Sequence, residues 1–141
     1  MLNNLGRLVY LEWLRTSEIR NNVIIDEFII MPDHLHGIIM ILDRSCKGVS
    51  QYALTGRKLV SPSETLGSIV RGFKSLTTKK INLVRDTPGV PVWQRNYYDR
   101  VIRNERELDN IRQYIYENPA KWSFSHEKNH ELFISLTYQN H

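Results

Sequence analysis

Two histidines in the stretch MPDHLHGIIMI, His34 and His36, stand two positions apart in an apolar run. On an extended strand, side chains at i and i+2 project from the same face. Two imidazoles on one rigid face form part of a ligand set for a divalent cation, and a third donor must come from elsewhere in the chain. The plainer alternative is a pair of hydrogen-bonded histidines near a sheet edge. A second candidate group lies in LDNIRQYIYENP. At about 100° per residue, Leu108, Ile111 and Ile115 mark an apolar stripe, Tyr114 and Asn118 fall about 40° apart, and Tyr116 sits about 160° from Asn118. Helical geometry therefore selects one tyrosine that can share a pocket with Asn118, whose carboxamide oxygen suits a hard cation. The alternative is a packing tyrosine and an asparagine that merely ends its helix.

Joined, these features describe a specific chemistry. His34, His36 and Asn118 would hold a divalent cation with positions left open to orient and polarise a phosphate. Tyr114, one helical turn from a ligand, would attack that phosphate and keep the bond as a phosphotyrosine ester. A free phenol, with a pKa of about 10, is a poor nucleophile without such assistance.

A third feature is VWQRNYYDRVIR, where Trp93, Tyr97 and Tyr98 alternate with Arg95, Arg100 and Arg103. Aromatic faces stack on unpaired bases and arginines hold phosphates. The competing reading is core aromatics with solvated charges. Arg71 and Lys74, with Lys79 beyond them, can track a nucleic-acid backbone or form an ordinary charged helix face. His126 and His130, in the polar stretch SHEKNHE, read as surface residues.

The elements that must position these groups follow from periodicity. Leu5, Leu8, Val9 and Trp13 predict a helix over residues 5–15, capped by Asn3 or Asn4. Two strands, 23–30 and 34–42, are separated by Met31-Pro32-Asp33 and read as a hairpin. Both are apolar on both faces, which predicts a sheet covered on each side. Residues 43–61 read as a long surface loop. Ser61-Pro62-Ser63-Glu64 has the pattern of a helix start, followed by the stripe Leu66, Ile69, Val70, Phe73 and Leu76. A third strand is expected within 92–103, and a helix over 105–118 stopped by Pro119. The briefly apolar segment 132–136 carries no assignment. Together these elements predict an α+β fold, an antiparallel sheet with flanking helices.

Composition sets the outer limits. At 141 residues the chain is read as a single domain spanning 1–141. Hydrophobic residues make up 41% and charged residues 24%, a globular balance that excludes wholesale disorder. The apolar runs are too short to span a bilayer, and no signal-peptide pattern opens the sequence. One cysteine, Cys46, excludes an internal disulfide framework and a Cys-based zinc site and fits a cytoplasmic location. The net charge of +4 and a pI of about 9.3 lean toward a polyanionic partner.

The motif MPDHLHGIIMI resembles the metal motif of HUH-type single-tyrosine transposases, and VWQRNYYDRVIRNERELDNIRQYIYENPAKW resembles the C-terminal signature of the REP-associated tyrosine transposases of bacteria. The order also matches: the His pair, a basic helix, WQR, then YIxxNP, over roughly residues 4–122. The resemblance implies a ferredoxin-like HUH nuclease fold and metal-dependent cleavage and strand transfer of single-stranded or hairpin DNA through a 5′-phosphotyrosine. It assigns His34, His36 and Asn118 to Mg²⁺ or Mn²⁺ and Tyr114 to nucleophilic attack. Arg71, Lys74, Lys79, Trp93, Arg95, Tyr97 and Arg100 are the expected DNA contacts, in a monomer or a dimer. Members usually carry a further N-terminal strand. Here the chain opens on its first helix, so the sheet is expected to lack a strand or to be completed by 132–136 or by a second chain. The alternative function is a catalytically impaired, hairpin-binding descendant; a small α+β protein with a non-nucleic-acid partner is a third.

Overall fold

The computed structural model describes residues 2–42, 65–122 and 134–137. The predicted loop, the Ser61-Pro62-Ser63-Glu64 cap and the His126/His130 pair lie outside the described residues. In chain order the elements are α1 (Asn4–Ile19), β1 (Val23–Ile30), β2 (His34–Ile41), α2 (Leu66–Arg85), α3 (Glu105–Trp122) and β3 (Ile134–Thr137). The three strands form an antiparallel sheet in the order β1-β2-β3, with the His-bearing strand at its centre. The fold is α+β, a sheet with flanking helices. Among the described residues no helix is long and apolar enough to cross a membrane.

Local sequence explains the boundaries. Asn3 caps α1 by accepting from the Gly6 N–H at 2.8 Å. The helix runs on to Ile19, further than its first apolar repeats predict, because Thr16 continues the buried face begun by Val9, Glu12 and Trp13. Thr65 caps α2, its hydroxyl accepting from Ser68 N–H at 3.2 Å. Asp86, in the left-handed conformation at φ 54°, ends that helix by donating its N–H to the Asn82 carbonyl. Helix α3 does not stop at Pro119 but continues to Trp122 with the proline inside it. A proline this near a helix end removes one intrahelical hydrogen bond and leaves only a short run beyond it, so the helix survives.

Residues 92–103 do not form the expected strand; Trp93 and Tyr98 are isolated bridge residues. Side chains of α2 take the place of a strand partner. Lys74 Nζ donates to the carbonyls of Gln94 (2.8 Å) and Asn96 (3.1 Å), and Asn82 Nδ2 donates to that of Val90 (2.8 Å). Backbone carbonyls need partners when they leave water, and here helix side chains supply them.

The sheet is covered on both sides, as its doubly apolar strands predict. Leu35 joins Val9, Trp13, Val70, Phe73, Ile81, Val92 and Trp93 in one core beneath α1 and α2. Ile38 joins Ile111 and Ile115 in a second, smaller core beneath α3, flanked by Ile29, Leu108 and Tyr114. Strand alternation assigns these faces on β2. On β1 the alternation is reset. Pairing jumps from Ile25↔Ile39 to Phe28↔Gly37, so Asp26 and Glu27 together oppose Ile38. This bulge keeps both Ile25 and Phe28 on the α1/α2 side and turns Asp26 toward α3.

Asp26 is the anchor for α3. Arg112 grips its carboxylate with two donors, Nε to Oδ1 at 2.9 Å and an Nη to Oδ2 at 2.6 Å. The Arg112 hydrogen bond holds the Asp26 carboxyl below its ordinary value of 3.8. A depressed carboxylate pKa stabilises the fold above the unfolded-state value, and that contribution is lost as pH falls through the folded-state value. Asp26→Asn is therefore expected to lower the urea midpoint at pH 7, with the gap from the parent protein closing as the pH drops below 3.8. An unchanged gap across that range would remove the ion pair from this role.

Candidate active site and nucleic-acid groove

His34 and His36 leave β2 on the α3 side, with ring centroids 4.6 Å apart. The Tyr114 ring lies against His36 at 5.8 Å, edge to face. Tyr114 is half-buried beside Ile111 and Ile115, whereas Tyr116 is 81% exposed. The helical wheel had separated these two tyrosines, and the packed helix faces the sheet as that separation requires. Asn118, one turn beyond Tyr114, is buried. The structure thus gathers His34, His36 and Tyr114 and buries Asn118 on the same helix.

The electrostatics favour a neutral imidazole at His36. Burial pushes His36 down to about 4; neighbouring His34 acts in the same direction and Asp33 opposes it. A neutral imidazole is the form that ligates metal. His34 Nδ1 meets the Asp33 carboxylate at 2.5 Å. With Nδ1 as donor, the lone pair belongs to Nε2, the arrangement in which a carboxylate orients a metal-binding histidine. Sequence reasoning passed over Asp33, although its place beside the first histidine was the available signal. It also passed over Asp26 and Arg112, which are 86 positions apart and have no local pattern.

No cluster of three His, Cys, Asp or Glu occurs among the described residues; Asn118, buried on the helix that carries Tyr114, offers a carboxamide oxygen of the kind a divalent cation accepts. Two imidazole nitrogens and one oxygen form a donor set that suits a divalent cation with open positions.

The expected DNA contacts separate into two groups. Arg71, Lys74, Lys79, Trp93, Arg95 and Tyr97 all line one groove of about 990 Å³ between α2 and the segment after it. This groove belongs to the α2 layer, across the sheet from the histidines. Arg100 is not among its lining residues and pairs with Glu107 at 2.6 Å. Two of the groove residues are engaged within the protein. Trp93 is a core residue on the groove floor, 7% exposed, packed against Phe73 at 5.4 Å with its indole N–H on Thr77 Oγ1 at 2.7 Å. It therefore offers no open face for stacking. Lys74 gives its ammonium to two backbone carbonyls and lies over the Tyr97 ring at 5.6 Å, so it shapes the groove wall instead of reaching for phosphate.

These features define an α+β protein with a histidine–tyrosine cluster on one side of its sheet and a basic groove on the other. The chain is 40% identical over 124 residues to an uncharacterized protein of Haemophilus influenzae, an overlap of 86% of this chain and 68% of that protein. It belongs to the same family as that protein. No family model matches the chain, and no solved structure matches it.

Proposed function

We propose that this chain is a metal-dependent single-strand DNA endonuclease and strand transferase with Tyr114 as its nucleophile. The observation that carries this reading is the contact between the Tyr114 ring and His36, on the face that also presents His34. The resemblance of MPDHLHGIIMI and YIYENP to the HUH-type single-tyrosine transposases supports it. The phenol oxygen forms a bond to the scissile phosphorus, the 3′ oxygen leaves as a hydroxyl, and the 5′ phosphate stays on the tyrosine. Reversal with a new 3′ hydroxyl rejoins the strand. His34, His36 and Asn118 would hold Mg²⁺ or Mn²⁺, which when bound polarises the phosphate and steadies the leaving oxygen. Asp33 keeps His34 oriented, and the Arg112–Asp26 clamp fixes the helix that carries the nucleophile.

The test is incubation with a single-stranded hairpin substrate and Mg²⁺ or Mn²⁺, followed by denaturing electrophoresis. A covalent protein–DNA adduct is expected, reduced to background by His36→Ala with little loss of DNA binding. Hairpin binding without an adduct under either metal would replace this reading with that of a hairpin-binding protein that does not cut.

A further inference from the structure

Helix α3 meets the sheet along three lines of contact. Ile111 and Ile115 pack with Ile38, and Ile29 lies beside them. At about 100° per residue, Arg112 and Tyr114 stand about 80° to either side of the midline between those two isoleucines. On one flank Arg112 reaches Asp26 of β1; on the other the Tyr114 ring meets His36 of β2. Rotation of the helix about its own axis lifts one flank as it presses the other. Apolar contact is non-directional, so the isoleucines hold α3 down without fixing that rotation. A bidentate guanidinium fork does fix it, because both donors must stay in line with one carboxylate. The fork is itself braced, since Arg112 Nη1 also donates to Asp109 Oδ1 at 3.3 Å. Its acceptor is delivered by the β1 bulge, where Asp26 and Glu27 together oppose Ile38.

We propose that Arg112 is a positioning residue for Tyr114: by gripping Asp26 it sets the roll of α3, and with it the place of the phenol beside His36. The proposal rests on Tyr114 being the nucleophile. A helix with its side chains has a radius of about 5–6 Å, so a roll of about 15° carries a ring at its rim by roughly 1.5 Å. Misplacing a reacting group by about 1 Å costs roughly 100-fold in rate. Arg112 stands on the flank away from the histidines, so its loss acts on the chemical step and not on the grip on DNA.

The experiment compares the parent protein with Arg112→Ala, Asp26→Asn, the two combined, and Arg112→Lys. The single-turnover rate of adduct formation is measured at saturating hairpin DNA with Mn²⁺, and the dissociation constant of the hairpin is measured separately in EDTA. Each single change is expected to slow adduct formation roughly 10- to 100-fold, with affinity within about twofold of the parent. The double variant should be no slower than the slower single one, because both changes break the same pair. Arg112→Lys keeps the charge but not the fork, so it should stay slow. Amide hydrogen exchange without DNA or metal should quicken over residues 111–118 in Arg112→Ala and hold steady in α1 and α2. Unchanged adduct rates in both single variants overturn the proposal, as do losses that add in the double variant, a loss confined to affinity, or unaltered exchange in α3. Normal parental adduct with indifferent variants removes the positioning role and leaves Tyr114 chemistry standing. A parent that forms no adduct with either metal, while α3 exchange still depends on Arg112, withdraws the Tyr114 reading and leaves only the fastening of the helix.

Discussion

Tyr114→Phe should eliminate the covalent protein–DNA adduct, with a loss of at least ~10³-fold in cleavage rate, because no other atom in the ring can form the phosphate ester. The same change at Tyr116 should leave cleavage close to the parent level. The two residues are nearly adjacent in sequence, yet Tyr114 lies 5.8 Å from His36 between ring centroids and Tyr116 is 81% exposed. Loss of the hydroxyl leaves the packing of the ring against Ile111 and Ile115 in place, so the helix should remain folded. The readout is a labelled hairpin substrate resolved by denaturing electrophoresis beside a melting curve. An adduct that persists in Tyr114→Phe and vanishes in Tyr116→Phe would reassign the nucleophile.

The second large effect is on stability. A Cβ at Gly37 would sit 2.7 Å from Trp13 Cζ2, 3.2 Å from Trp13 Cε2 and 3.3 Å from Phe28 Cβ. Trp13 is fully buried and packed edge-on against Phe73 at 5.0 Å, so it has nowhere to retreat. Overpacking of this kind costs about 1–3 kcal/mol. Gly37→Ala should accordingly lower Tm by roughly 2–12 °C. Trp13→Phe made in the same chain should recover part of the loss, because the smaller ring vacates the contested space and the two changes then fail to add. A fully additive double variant would mean that the strand, and not the tryptophan, carries the strain. Gly37 directly follows His36 but faces the opposite side of the sheet, so any shift of β2 away from Trp13 also moves the histidine pair.

Much of this arrangement could be read from residue order. The break at Met31-Pro32-Asp33 between two apolar runs marks the hairpin, period-two spacing places His34 and His36 on one face, and the helical wheel distinguishes Tyr114 from Tyr116. These are short-range regularities, fixed by backbone geometry within a single element. What escaped depends on distant partners. Residues 92–103 have the β-branched and aromatic content of a strand, but the carbonyls at 94 and 96 are taken by Lys74. Trp93 looks like a stacking platform until Thr77 and Phe73 are seen to enclose it. The continuation of α3 past Pro119 likewise overrides a local rule. In the region where Leu132–Leu136 carried no assignment, Ile134–Thr137 pairs with β2 along its second edge, His36 opposite Ser135. Which segment fills that edge is a matter of topology, not of local pattern.

The two layers on either side of β2 are unequal in thickness. Among the described residues, eight buried side chains interlock beneath α1 and α2, while three buried isoleucines and the Arg112–Asp26 and Arg100–Glu107 ion pairs secure α3. Free energies of local opening follow such differences in packed apolar area, from almost nothing at weak points up to the global value. The molecule thus has a stiff half and a compliant half, and its proposed nucleophile rides on the compliant one. Excursions of α3 cost less than unfolding the α1/α2 layer, so the groove beside α2 can keep its shape while the helix opposite it breathes.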